Sequence, residues 1–113
     1  MNTPAIPATV ARLRQTFDSG KTRPIEWRLA QLGEIERAMR DHESDFAEAL
    51  QKDLGKCRFE AVMTEMSFVE QEAKYARKHL RNWMRHTRVR TPMMAQPGRS
   101  YIEPEPKGVV LII

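Results

Sequence analysis

The chain has 113 residues, 41% hydrophobic and 30% charged, with a formal net charge of +4. That apolar share suffices for one small folded domain and excludes a chain disordered by composition. The single cysteine, Cys57, excludes an internal disulfide, and the longest unbroken apolar run, Val109–Ile113, is far shorter than the roughly 20 residues that span a bilayer.

The opening Met1-Asn2-Thr3-Pro4-Ala5 has neither the basic nor the apolar segment of a secretion signal, so a reducing, cytosolic setting is expected. The first predicted helix runs from Pro7 to Ser19, with Val10, Leu13 and Phe17 on one face and Gly20 where a left-handed cap belongs. Thr22 offers a capping hydroxyl before Pro24. Beyond it Ile25, Leu29, Leu32, Ile35 and Met39 recur at helical spacing and define a second helix. A third, from Ser44 to Leu54, aligns Phe46, Leu50 and Leu54 and stops at Gly55. The fourth is the longest, from Phe59 to Trp83. Val62, Met66, Val69, Ala73, Ala76, Leu80 and Trp83 hold their helical steps without a break, and the outward face carries Glu70, Lys74, Lys78 and Arg81.

Beyond Arg85 the helical pattern ends. Thr87 to Gly98 reads as a linker, because Pro92, Pro97 and Gly98 forbid a continuous helix. Ser100 to Glu103 fits an exposed strand that Pro104 and Pro106 confine to a sheet edge. Gly108 then opens the run Val109–Ile113, which has the pattern of a parallel strand buried on both faces. Such a strand needs a partner reached through a crossover, and nothing upstream matches it. The chain is therefore expected to be the front end of a larger α/β protein.

Candidate chemistry is sparse. Cys57 lies between Lys56 and Arg58, and flanking cations favour a thiolate. A nucleophile also needs a base, and with no histidine near in sequence an incidental cysteine is the simpler reading. His79 and His86 share a side only if the helix runs through both, and two ligands without a third make a poor metal site. His42 precedes acidic residues at a helix junction and reads as a surface or capping group. Arg77, Lys78, Arg81, Arg85, Arg88 and Arg90 cluster around Trp83, with no acid between Glu72 and Glu103, which resembles a nucleic-acid footprint. Against that, Trp83 is expected to pack on the stripe of Ala76 and Leu80, and cations at a helix C-terminus suit the macrodipole. Met39 and Met66 fall in core registers, while Met93 and Met94 lie in the linker. There is no Gly-x-Gly-x-x-Gly, phosphate loop or nucleophile elbow.

Several pieces carry a family resemblance when taken in order. They are Phe17-Asp18-Ser19-Gly20-Lys21-Thr22-Arg23-Pro24 followed by Arg28, Gln31 and Leu32; Ala49-Leu50-Gln51-Lys52-Asp53-Leu54-Gly55-Lys56; Glu65, Leu80 and Trp83; and Tyr101-Ile102-Glu103-Pro104-Glu105-Pro106-Lys107-Gly108-Val109-Val110-Leu111-Ile112. Together they resemble the N-terminal region of the aldehyde dehydrogenase superfamily, in the branch of fatty-aldehyde, aromatic-aldehyde and coniferyl-aldehyde dehydrogenases. The resemblance implies an α/β fold that begins with a layer of about four helices over residues 1–86. Residues 87–107 would be a linker with an edge strand directed to the family's oligomerisation sheet, and residues 108–113 the first strand of a Rossmann-like cofactor domain.

By the same resemblance the intact enzyme would use NAD or NADP to oxidise an aldehyde to a carboxylic acid through a cysteine thiolate, as a homodimer or higher homo-oligomer. The family's catalytic cysteine, general-base glutamate and oxyanion asparagine lie beyond Ile113. No catalytic, cofactor-binding or metal residue is therefore assigned here, and Cys57 does not match the nucleophile. The chain alone is expected to be inactive and to bind no dinucleotide, no nucleic acid and no metal, and to lack a membrane span. The alternative is a free-standing basic helical module that binds nucleic acid or a protein partner. Such a module has no use for an unpaired apolar strand.

Overall fold

A computed structural model describes residues 5–112. Helices α1 (Ile6–Asp18), α2 (Ile25–Asp41), α3 (Glu43–Leu54), α4 (Arg58–Ala61) and α5 (Ser67–Trp83) precede strands β1 (Thr87–Val89) and β2 (Ser100–Ile102). A π turn, Val62–Met66, joins α4 to α5, so four helical stretches stand where four helices are expected. The chain divides into two compact units, one spanning Arg28–Leu80 and the other combining the described residues up to Trp27 with those from Arg81 onward.

The helix ends follow local chemistry. Gly55 closes α3 at φ 68°, where a side chain would strain the backbone, and its N–H donates to the Gln51 carbonyl. Gly20 ends α1 in the same conformation. His42 occupies the N-cap position of α3 but makes no side-chain cap bond there; its Nδ1 lies 3.1 Å from the exposed Asp45 carboxylate, a surface pairing.

The fourth helix departs from its predicted regularity. The Ser67 N–H reaches back five residues to the Val62 carbonyl, and the Thr64 hydroxyl donates to the Glu60 carbonyl at 2.8 Å. A hydroxyl that claims a carbonyl four residues back competes with the backbone ladder and favours such widening. The even apolar spacing through Val62, Met66 and Val69 gave no warning of it.

In the unit Arg28–Leu80 the core is made of small side chains. Ala47, Ala61 and Met66 are buried together, with Met39, Leu50 and Val62 packed against them. Alanines at 47 and 61 let α3 and α4 approach closely, while Phe59 and Phe68 face outward. Leu54, predicted on the stripe of α3, is also exposed.

Ion pairs tie α2 to α5. Glu70 accepts hydrogen bonds from Lys74 at 2.8 Å and from Arg40 at 2.9 Å, so it is drawn toward α2 instead of standing free on an outward face. Lys74 first and then Arg40 hold its carboxyl below the ordinary 4.5. A lowered carboxylate contributes stability that is present above the unfolded value and lost as pH falls through the folded one. A Glu70→Gln variant should therefore be less stable than the parent at neutral pH, with the gap closing as pH falls below about 4.5. Urea midpoints across that range would show it, and a gap independent of pH would refute it.

In the other unit β1 and β2 pair antiparallel, Thr87 opposite Ile102, Arg88 opposite Tyr101 and Val89 opposite Ser100. The sequence predicts the edge strand near Ser100 but not its partner β1, because Pro92, Pro97 and Gly98 mark Thr87 to Gly98 as linker. Thr87-Arg88-Val89 alternates β-branched and polar residues, a strand signal too short to stand out. The Ser100 N–H donates to Thr91 Oγ1 at 2.9 Å and the Gly98 N–H to the Ala95 carbonyl at 2.8 Å. A Cβ at residue 98 would stand 2.6 Å from that carbonyl oxygen, so only glycine fits the loop. The expected buried strand from Val109 makes no ladder among the described residues, and Val110, Leu111 and Ile112 are exposed. Strand pairing needs a partner, and none of the described residues provides one. Ile113 lies outside them. Among the described residues no helix is long and apolar enough to cross a membrane.

Candidate functional site

The loop between α3 and α4 carries the one cysteine. Cys57 is exposed at the N-cap position of α4 and lines a hollow of about 270 Å³ with Ser44, Glu48, Gln51 and Arg58. Both flanking cations are already engaged. Lys56 donates to Glu65, which by that hydrogen bond above all holds the ammonium above its ordinary 10.5, while Arg58 donates to Glu43 at 2.7 Å. The hollow contains no histidine that could take the thiol proton. In the full-length protein Cys57→Ser should leave turnover within about twofold of the parent. Steady-state rates with folding checked by circular dichroism decide this, and a hundredfold loss would overturn it.

The histidines occupy separate settings. His79 on α5 places Nδ1 2.8 Å from the Tyr75 carbonyl with its ring against Tyr75. Helix α5 ends at Trp83, so His86 lies beyond it, 3.1 Å from the Glu103 carboxylate and stacked on Tyr101 at 5.2 Å. No group of three or more His, Cys, Asp or Glu able to hold a metal occurs among the described residues.

The basic cluster is divided as well. Arg77 lies 3.1 Å from Glu36, whose carboxylate is buried on α2. Glu36 follows Leu32 by four residues and precedes Met39 by three, so its place in the apolar register was the signal for a buried acid that the sequence reading missed. Trp83 is 47% exposed, less covered than its stripe position suggests. Arg88, Arg90 and Arg99 line a hollow of about 670 Å³ in the β1–β2 loop. Two methionines, Met39 and Met66, line an apolar groove of about 280 Å³ with Phe46, Leu50 and Val69.

None of these places a nucleophile, a base and an oxyanion donor together. A dinucleotide cradle needs a glycine-rich turn leading from a strand into a helix N-terminus, and the described residues supply no such turn. They do not fit the cofactor, and no chemical step can be drawn through them.

Residues 2–113 match the model of the aldehyde dehydrogenase family. The chain belongs to that family. It is 43% identical over 97 residues to 4,4'-diaponeurosporen-aldehyde dehydrogenase of Staphylococcus aureus, covering 86% of this chain and 21% of that protein. It is 41% identical over 108 residues to a dimeric NADP-preferring aldehyde dehydrogenase of Canis lupus familiaris, covering 96% of this chain and 24% of the relative. A solved structure, the substrate-bound state of Staphylococcus aureus AldH, superposes with a TM-score of 0.84 at 36% identity, over 92% of this chain and 23% of the other. The chain thus spans about a fifth to a quarter of the relatives' length, in their N-terminal region. Helices followed by a small antiparallel sheet are the N-terminal portion of an aldehyde dehydrogenase fold.

Proposed function

We propose that this chain is the N-terminal part of an NAD- or NADP-dependent enzyme that oxidises aldehydes to carboxylic acids, and that its own role is to buttress the rest of the protein. The observation that carries the reading is the structural match at 36% identity across 92% of the chain. The exposed apolar residues support it. Val110, Leu111 and Ile112 are exposed in one unit and Phe59 and Phe68 in the other, apolar side chains that the rest of a larger protein would cover. In this reading residues 1–86 are the helical segment, 87–107 a linker with an edge strand directed to an oligomerisation sheet, and 108–113 the first strand of the cofactor domain. The intact protein is a cytoplasmic homodimer or larger homo-oligomer that takes an aldehyde substrate.

The test is an assay of the full-length protein with aliphatic and aromatic aldehydes, following nicotinamide reduction with each cofactor. Reduction with at least one aldehyde is expected. No reduction of either cofactor across the panel would reject the assignment. The chain 1–113 alone should give no saturable heat when titrated with NAD or NADP, and heat at submillimolar cofactor would overturn the division of roles.

A further inference from the structure

We draw no further inference here: the strongest candidate, the apolar groove lined by Met39 of α2, Phe46 and Leu50 of α3, Met66 of the π turn and Val69 of α5, is an unpartnered face, and nothing in the structure shows what covers it.

Discussion

Met66→Ala should lower the unfolding free energy by about 2–3 kcal/mol. Met66 is 5% exposed and packs with Ala47 and Ala61, whose methyl groups cannot reach into the space its removal leaves. On its other side it lines the open groove beside Met39 and Leu50, so water enters the gap and no sealed void remains. That openness puts the loss in the lower part of the range for buried methionine truncations. Met66→Leu, nearly equal in volume, should cost under about 1.5 kcal/mol. Urea unfolding with an unchanged slope is the measurement. A loss for the alanine variant under about 0.5 kcal/mol would show that the core does not centre on the π turn.

Arg77→Met should cost a similar amount, about 2–3 kcal/mol, by leaving the Glu36 carboxylate buried without its cation. The Glu36 side chain is 5% accessible, and its Oε1 accepts no aligned hydrogen bond although Arg77 stands 3.1 Å away. The distance and the missing bond are both informative, since they mean that charge more than hydrogen-bond direction holds the pair. The Arg77 side chain is 49% accessible, so solvent screens part of the interaction and the full cost of breaking a buried pair does not apply. Gly33 gives the guanidinium room, as a Cβ there would lie 3.4 Å from Arg77 Nη1. Adding Glu36→Leu to Arg77→Met should recover most of the loss, because the stranded charge is then gone. If the double variant is as unstable as the single one, the loss comes from packing of the arginine stem and the electrostatic account fails.

Much of the helical layer is legible in the sequence because its causes are local. Gly20 and Gly55 mark two helix ends by their backbone freedom, and three- and four-residue spacing places α1, α2 and α3 close to their observed limits. The candidate sites divide differently. Nothing in the spacing of Lys56, Cys57 and Arg58 could tell that both cations are taken up by Glu65 and Glu43, because those carboxylates come from other helices. Arg88, Arg90 and Arg99 belong to one basic stretch in sequence, and only the pairing of β1 with β2 brings the two ends of that stretch around a single hollow.

The sequence by itself determined the helix order, the two glycine caps, the edge strand at Ser100 and the family to which the chain belongs, all of which rest on short-range propensity or ordered motifs. Tertiary structure alone decided the rest. It paired β1 with β2, buried Glu36 against Arg77, and left Val110 to Ile112 without a ladder. Each depends on groups that distant parts of the chain bring into reach or withhold. A strand in particular is defined by its partner, so its hydrophobic pattern can announce the need for pairing but cannot meet it.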